Sequence, residues 1–470
     1  MALLGAFMVP HPPIAVPEVG RGEEAKIRGT EDSFRRVARR LKELAPDTVI
    51  LSSPHNILYA DYFNIPDDER AAGDLSQFRA PSVRADLPAD TALIDEICRR
   101  AGEAGIPAGP LGTRDHSLDH GCMVPLSFIL KEYQDFKLVR VGLSGLPLAQ
   151  HYRLGRLIRG AADALGRRAV WIGSGDLSHK LRKDGPYGFD PSGPVYDERI
   201  MDVMGRAAFG ELFDFGEGLC EKAAECGHRS FVLMAGALDR CAVRAERLTH
   251  EDIFGVGYGF CMYTVTGDDP SRDFLDQYAA REKARLAERR RAEDGFVRLA
   301  RRALEAWILS GRTLRIPEDL PPDLTEAERT ALLDTRAGAF VSLHEEGTLR
   351  GCIGTISAVR SSLAEEICEN AVSACSRDPR FDPVEPDELD RLEYSVDVLA
   401  DAEPIASPAE LDPARYGVIV EKHGRRGLLL PNLDGVDTVE DQIAIACRKA
   451  GLRPGEPGIR LSRFEVVRHY

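Results

Sequence analysis

Short apolar runs alternate with longer amphipathic segments along the first half of the chain. We predict strands at LLGAFMVP, TVILSSP, FKLVRVGL and RAVWIGSG, and helices with one apolar face at SFRRVARRLKELA and LIDEICRRAGEAG. Later in this half, a buried helix is predicted at RSFVLMAGALDRC and a closing strand at IFGVGYGFCMYTVTG. The alternation is typical of an α/β fold with a central sheet that is mostly parallel or mixed.

The second half begins after a turn-rich break at TGDDPSRD, residues 266–273. One or two helices follow, the second amphipathic from Phe296 to Leu309. A second α/β (α+β) module is then predicted, with strands at GAFVSLHE and YSVDVLADAEPI and helices at SSLAEEICENAVSAC and VEDQIAIACRKAGL. We therefore predict a first domain over residues 1–268, a helical linker over 269–291 and a second domain over 292–470.

Composition narrows the class of protein. The 470 residues carry a net charge of −15, which argues against nonspecific binding to nucleic acid or to anionic membranes. No run approaches the roughly 20 apolar residues needed to span a bilayer. The N-terminus has neither the basic region nor the cleavage pattern of a signal peptide, so we expect a cytoplasmic protein. The ten cysteines contain no C-x-x-C pair, which excludes the common zinc-ribbon and thioredoxin spacings.

Three histidines directly follow predicted strands: His11, His55 and His179. If these strands are parallel neighbours, their carboxyl ends meet at one edge of the sheet, where open α/β sheets bind ligands. Neutral imidazoles arriving there from separate strands can share one Fe, Zn or Cu ion. A single histidine after a strand is more often a hydrogen-bonded loop residue, but three at one edge favour a metal site.

A site with two histidines needs an anionic third ligand, and EKAAECGHRSF at residues 221–231 offers two candidates. Glu225 would complete a facial triad suited to Fe(II), and Cys226 would add a soft thiolate. Alternatively, Glu225 caps the N-terminus of the following helix, which a carboxylate does well. The sequence leaves this choice open.

The segment RDHSLDHGCMVPLSFIL, residues 114–130, adds three polar candidates ahead of an apolar helix. Asp119 and His120 suit an acid/base or substrate-anchoring pair, with His116 beside them, although Asp119 could instead cap the helix. Asp176 precedes His179 by three residues. It could orient the His179 imidazole or bind the metal itself.

The motifs PHPP, SPHN, DHGCMVPL, GSGDLSH and ECGH occur in this order, and the first half resembles the class III extradiol ring-cleaving dioxygenases (LigB-like) and the Memo proteins that share their fold. The resemblance implies that His11 and His55 bind the metal, that His179 is the catalytic acid/base and that His120 contacts substrate. It further implies Fe(II), a small aromatic or catecholic substrate and O₂. The dioxygenases place a glutamate as the third ligand, and the Memo proteins place a cysteine. A cysteine would shift the metal preference toward copper and the function toward a redox or adaptor role. Zinc is a further possible metal.

The second half carries LRGCIGT, SRDPRFDPV, YSVDVL and GRRGLLLPNL, and resembles the AMMECR family. The fusion resembles the AmmeMemoRadiSam system, which implies a radical SAM enzyme as partner. From the residues alone, we predict a tight turn in which Gly351 and Gly354 bracket Cys352 and Ile353. Arg350 and Arg377 are available for a carboxylate or phosphate.

Three functions follow from these patterns. The first is a dioxygenase-like oxidoreductase. The second is a metal- or copper-binding redox or adaptor protein without ring cleavage. The third is transfer chemistry at Cys352, if a neighbouring arginine lowers the pKa of its thiol; otherwise Cys352 is a buried structural thiol. A homo-oligomer is compatible with each of them.

Overall fold

The computed structural model describes residues 3–112, 116–345, 347–433 and 435–470, without the side chain of residue 217. The chain divides into two compact units, Met1–Ala280 and Arg281–Tyr470. A helix, α9, runs over Phe274–Ala292.

The first unit alternates strands and helices. Its strands are β1 Leu3–Val9, β2 Thr48–Ser53, β3 Phe63–Asn64, β4 Arg70–Leu75, β5 Ala80–Pro88, β6 Ala108–Gly109, β7 Lys137–Gly142, β8 Ala169–Ser174, β9 Cys241–Glu251 and β10 Tyr258–Asp268. Its helices are α1 Pro17–Gly20, α2 Arg28–Leu44, α3 Thr91–Glu103, α4 His120–Ile129, α5 Leu148–Ala164, α6 Ser192–Gly205, α7 Glu217–Ala223 and α8 His228–Ala237.

Six strands form the central sheet, in the order β7-β2-β8-β1-β10-β9. The first four are parallel, β10 is antiparallel to β1, and β9 is antiparallel to β10 and so runs in the direction of the first four. The predicted α/β class with a mixed central sheet is therefore confirmed.

Helices cover both faces of this sheet because successive side chains of a strand point to opposite sides. Along β1, Ala6 and Met8 pack in a core with helices α3, α5, α6 and α8. Phe7 and Val9 pack in a second core with α2 and α4. All four of these side chains are fully buried, which fixes the register of β1 and with it the position of the loop that follows.

The strands β2, β8 and β1 are consecutive neighbours and run in the same direction. Their carboxyl ends therefore lie side by side, as predicted, and the segments that carry His55, His179 and His11 leave the sheet at the same edge.

A hairpin formed by β4 and β5 packs beside this edge. The N–H of Leu118 donates to the carbonyl of Ala72 at 2.8 Å. Gly73 lies so close to Leu118 that a Cβ at this position would collide with its backbone. Close backbone contact thus fixes the hairpin against the segment that leads into α4.

The second unit contains two four-stranded sheets, β12-β11-β13-β18 and β14-β17-β15-β16. Helices α10 and α12 pack on the first, and α13 packs on the second. The strands are β11 Ala339–Glu345, β12 Thr348–Gly354, β13 Leu392–Leu399, β14 Glu403–Ile405, β15 Gly417–Lys422, β16 Arg425–Leu429, β17 Arg460–Phe464 and β18 Val466–His469. The helices are α10 Gly295–Ser310, α11 Glu326–Asp334, α12 Leu363–Ser376 and α13 Val439–Lys449.

The predicted tight turn at Gly351 is wrong, because Gly351 and Cys352 lie within strand β12. A Cβ at Gly351 would collide with the carbonyl of Ala374 in α12. The glycine therefore permits close packing of the helix on the strand rather than the approach of a ligand. No helix within the described ranges is both long and apolar enough to cross a bilayer.

Candidate metal centre

His11 follows β1 by two residues and is almost fully buried. Its Nδ1 lies 2.9 Å from the hydroxyl oxygen of Ser174, and that hydroxyl lies 2.6 Å from the carbonyl of Gly121. A carbonyl only accepts, so the single hydroxyl hydrogen goes to Gly121 and Ser174 accepts from Nδ1–H of His11. This arrangement leaves a lone pair on Nε2 of His11.

Three donor atoms converge at this nitrogen. His11 Nε2 lies 2.8 Å from Nε2 of His55 and 3.6 Å from Sγ of Cys226. The ligand atoms of the three residues all lie within 4.8 Å of one another. Two imidazole nitrogens and one sulfur at these separations can coordinate a single transition-metal ion.

The geometry distinguishes Cys226 from its neighbour Glu225. The carboxylate of Glu225 accepts from the backbone N–H of His228 at 2.6 Å, at the start of α8, and is not part of the converging group. Glu225 therefore caps the N-terminus of α8, which was the alternative to its role as a metal ligand. The sulfur of Cys226 is the third donor atom.

Burial sets the protonation of these groups. It lowers the pKa of His11, and partial burial lowers the pKa of His55 to about 4, so both rings are neutral at neutral pH. Burial also raises the pKa of Cys226, and nearby Asp176 adds to this effect. A metal ion bound here would therefore have to displace the thiol proton.

His120 begins α4, and its ring stacks on that of His55 with a centroid distance of 4.1 Å. Burial lowers its pKa. Asp119 is the N-cap of α4 and accepts from the N–H of Cys122 at 3.2 Å and from the hydroxyl of Ser53 at 2.6 Å. Asp119 therefore positions His120 through the helix end.

His179 is held by the backbone. Its Nδ1–H donates to the carbonyl of Ala224 at 2.5 Å, which leaves the lone pair on Nε2. Burial lowers its pKa. The expectation that Asp176 orients this ring is wrong, because the Asp176 carboxylate instead accepts from the backbone N–H of His11 at 2.8 Å and lies 3.8 Å from His11 Nε2. Burial raises the pKa of Asp176 to about 7.

A cavity of about 700 Å³ opens beside the histidines. Its described lining comprises His55, Asn56, Ile57, Gly73, Asp74, Gln77, Ser117, Leu118, Asp119 and His120. His116, predicted to bind substrate, pairs instead with Asp68 and is not in this lining. The cavity gives a small molecule access to the face of the site formed by His55 and His120.

The remaining predicted site residues belong to the second unit and do not form one group. Arg350 makes an ion pair with Glu388 at 2.7 Å, and exposed Arg377 lies 3.5 Å from Glu369. Cys352 accepts a hydrogen bond from Ser342, and burial raises the pKa of its thiol. Transfer chemistry at Cys352 was predicted only if a neighbouring arginine lowered the pKa of its thiol, and this condition is not met.

Residues that the sequence did not single out complete the site. Ser174 is the last residue of β8, and a hydroxyl at the end of a strand is the only signal that could have indicated it. Asp74, Gln77 and Phe78 come from the β4–β5 hairpin. The ring centroids of Phe78 and His120 lie 5.5 Å apart. The local sequence pattern does not indicate that this hairpin lies at the site.

Replacing Ser174 with alanine should weaken metal binding about 10-fold. This is the lower end of the loss seen when the hydrogen-bond partner of a metal ligand is removed. The variant loses the acceptor that keeps the proton of His11 on Nδ1. Competition with a chromophoric chelator measures the change. Ser127→Ala, which removes a hydroxyl bonded to a helix carbonyl away from the site, is the control. Equal affinity of Ser174→Ala and the unaltered chain would contradict the assigned tautomer.

Asp378 in the second unit should titrate far below the ordinary aspartate range. Hydrogen bonds from Arg380 lower its pKa from 3.8 to about 2. Because the folded-state pKa lies below the unfolded value, the stabilisation is present above pH 3.8 and is lost as the pH falls toward 2. Carboxyl carbon NMR should show this midpoint, and Arg380→Gln should raise it. Arg377→Gln is the matched control; an equal rise there would contradict the assignment.

Comparison with known protein families agrees with the division of the chain into two units. The family described as the catalytic LigB subunit of aromatic ring-opening dioxygenase matches residues 5–261, and the AMMECR1 family matches residues 297–469. The first match covers more than half of the chain.

Three relatives illustrate the similarity. A Clostridium acetobutylicum protein is 39% identical over 477 residues, which cover 100% of this chain and 99% of the relative. A Thermotoga maritima protein is 46% identical over 178 residues, 38% of this chain and 98% of its own length. The crystal structure of an uncharacterized Pyrococcus horikoshii protein is 33% identical, with a TM-score of 0.33, and the match covers 37% of this chain and 88% of that one. Because of the family match over residues 5–261 and the full-length similarity to the Clostridium acetobutylicum protein, the chain belongs to the LigB family of aromatic ring-opening dioxygenase subunits, and it carries a fused AMMECR1 domain.

Proposed function

We propose that the first unit is a dioxygenase-like oxidoreductase that binds Fe(II) and acts with O₂ on a small catecholic molecule. The observation that carries this proposal is the convergence of His11 Nε2, His55 Nε2 and Cys226 Sγ within 4.8 Å beside an accessible cavity.

The two imidazoles of the donor set suit Fe(II), and the Cys226 sulfur stands where the usual iron site has a carboxylate. Imidazole suits iron, zinc and copper alike, and the tautomer of His11 leaves its Nε2 free to coordinate. His11, His55 and Cys226 would hold the ion. A bound Fe(II) would supply the redox chemistry that lets dioxygen react with a catechol.

The chain's own residues would manage protons. His120 is neutral and borders the cavity, so it can accept a proton from a substrate hydroxyl. His179 keeps its proton on Nδ1, toward Ala224, and offers Nε2 as a second acceptor. Positioned acid–base groups of this kind typically contribute about 10²- to 10⁴-fold in rate.

The test is metal content and oxidation state of the full chain purified without oxygen, followed by O₂ uptake with a panel of catechols. His55→Ala should lose both the iron and the uptake. His423→Asn is the control, because this histidine lies in the second unit at a positive φ of 49°, which asparagine tolerates. Iron retained in His55→Ala, or no uptake by the iron-loaded chain, would refute the proposal.

A second function, copper binding with a redox or adaptor role, is favoured by one observation: the third donor is the sulfur of Cys226 rather than the carboxylate of Glu225. Soft thiolate ligands select Cu(I). Copper in place of iron in the purified chain, with no O₂ uptake on catechols, would support this function over the first.

Cys226→Asp should shift metal preference from copper toward iron, because it replaces a thiolate with a carboxylate beside the same two histidines. We expect the ratio of the Cu(I) to the Fe(II) affinity to fall by at least about 10-fold. Competitive titration with the two ions measures it, and Cys122→Ser, a buried thiol outside the converging group, is the control. An unchanged ratio would show that the sulfur is not a ligand.

A radical SAM enzyme as partner stays a prediction from the resemblance of the fusion. We do not propose chemistry at Cys352, because burial raises the pKa of its thiol despite the hydrogen bond from Ser342 and the proximity of Arg380.

A further inference from the structure

The imidazole of His120 is held differently from those of His11 and His179. Nδ1 of His11 lies 2.9 Å from the hydroxyl oxygen of Ser174, and Nδ1 of His179 lies 2.5 Å from the carbonyl oxygen of Ala224. Neither ring nitrogen of His120 forms a hydrogen bond to a residue that the structure describes. Hydrogen bonds therefore orient the first two rings, whereas the orientation of His120 depends on packing against neighbouring side chains.

Three aromatic rings pack around the imidazole of His120. The ring of His55 stacks on its face, with a centroid distance of 4.1 Å and an angle of 26° between the planes. The rings of His11 and Phe78 approach at angles of 88° and 71°, with centroid distances of 5.4 and 5.5 Å. Edge-to-face contacts at such distances are favourable. Since His11 and His55 belong to the candidate metal centre, Phe78 is the contact from outside that centre among the described residues.

The position of Phe78 is fixed by the turn of the β4–β5 hairpin. Phe78 ends a single 3₁₀ turn over Ser76–Phe78, and the next residue, Arg79, has a positive φ of 60°. The N–H of Arg79 donates to the carbonyl of Ser76 at 2.8 Å, which closes the turn. The Phe78 side chain is half-buried and packs against the core that β1 shares with α2 and α4. Backbone and core packing together hold this ring in place.

The same hairpin is bound to the segment that leads into His120. The N–H of Leu118, two residues before His120, donates to the carbonyl of Ala72 at 2.8 Å. Gly73 lies directly against Leu118, too close for a Cβ. These backbone contacts hold the hairpin at a fixed distance from the start of α4. The ring contact between Phe78 and His120 therefore follows from the packing of two backbone segments.

We propose that Phe78 is a positioning residue, which holds the imidazole of His120 at the wall of the cavity so that a ring nitrogen can meet a substrate hydroxyl. The inference rests on the proposed function, in which His120 accepts a proton from the substrate. His120 belongs to the described lining of the cavity and Phe78 does not. Phe78 thus acts through His120 rather than on the substrate.

NMR relaxation of the histidine rings in the full chain tests the positioning without turnover. The chain is treated with a chelator and labelled with ¹³C in its histidine rings, and the His120 signal is assigned by its absence from His120→Gln. We expect an order parameter of about 0.85 for this ring, as in rigid structure. In Phe78→Leu, which keeps an apolar side chain but removes the ring, it should fall below about 0.6. Phe78→Tyr, which keeps the ring, should restore the rigid value.

Phe136→Leu is the matched control. It removes a ring from the same core, but that ring contacts Tyr133 and not His120. The His120 ring should stay rigid in this variant. A mobile His120 ring in the unaltered chain, an unchanged order parameter in Phe78→Leu, an equal loss in Phe136→Leu, or a loss that Phe78→Tyr does not restore would overturn the inference.

Kinetics of the iron-loaded chain give a second measurement. Phe78→Leu should retain its iron and lower kcat for O₂ uptake with catechols about 10-fold, a part of the roughly 10²- to 10⁴-fold that a positioned acid–base group contributes. KM should change little, and Phe78→Tyr should recover kcat. An unchanged kcat in Phe78→Leu would overturn the inference. Loss of iron from this variant would overturn it too, since Phe78 would then support the metal ligands.

The two measurements separate the inference from the proposed function. If the unaltered chain binds iron but takes up no O₂ with any catechol, the proposed function fails. The order parameters then decide by themselves whether Phe78 positions His120.

Discussion

Replacing His11 with alanine should weaken Fe(II) binding by more than about 100-fold, beyond the loss caused by removing a residue that only supports a ligand. His11 is central to the site because its Nε2 is the atom closest to both other donors, 2.8 Å from His55 Nε2 and 3.6 Å from Cys226 Sγ. The two donors that remain come from separate loops. Competition with a chelator of known affinity measures the change.

The variant should still fold. The backbone N–H of His11, which donates to Asp176, is retained in alanine, and β1 is fixed by its buried side chains. Circular dichroism of His11→Ala should therefore match that of His423→Asn, the control in the second unit. A folded His11→Ala chain with unchanged Fe(II) affinity would exclude the three-donor site.

The histidines of the site were predictable from the sequence because the signal for each of them is local. His11, His55 and His179 each follow a strand, and parallel strands bring such positions to one edge. The choice between Glu225 and Cys226 was not predictable, since adjacent loop residues point in different directions and only the start of α8 shows which one caps it. The role of Asp176 was misjudged for a related reason, because its partner His11 is 165 residues away in the chain.

The free energy of unfolding of the first unit should fall by about 3 kcal/mol when Asp90 is replaced with alanine, the lower end of the cost of breaking a buried ion pair. The Asp90 carboxylate is fully buried and accepts from Arg167 Nε at 2.7 Å and Nη2 at 2.8 Å. It also accepts from the hydroxyl of Thr48 at 2.7 Å and is the N-cap of α3. Alanine leaves these donors unsatisfied, while the partly exposed Arg167 recovers some hydration.

Urea unfolding followed by the fluorescence of Trp171 in β8 measures the change, in a Trp307→Phe background that removes the signal of the second unit. Asp86→Ala is the matched control, because its ion pair with Arg70 is exposed on both sides and should contribute less than about 1 kcal/mol. Equal losses in the two variants would contradict the importance of burial.

Much of the fold was predictable for the same local reasons. The runs at β1, β2, β7 and β8 are short, apolar and buried on both faces, which is typical of parallel strands. The β4–β5 hairpin was not predicted because its strands are largely exposed and polar. Glycine spacing around Cys352 was interpreted as a turn, although these glycines serve close packing inside a strand. The close contact of Gly351 with Ala374 in α12, which is distant in sequence, decides that outcome.

The three donor residues come from widely separated positions, and this has a consequence for biosynthesis. His11 and His55 are 44 residues apart, but Cys226 follows His11 by 215. At about 5–20 residues per second, a ribosome would add Cys226 roughly 10–40 s after His11. Strand β10, which pairs with β1, is made later still. A nascent chain therefore exposes two histidines long before the thiol joins them, so stable loading of the proposed metal ion would follow translation of the whole first unit.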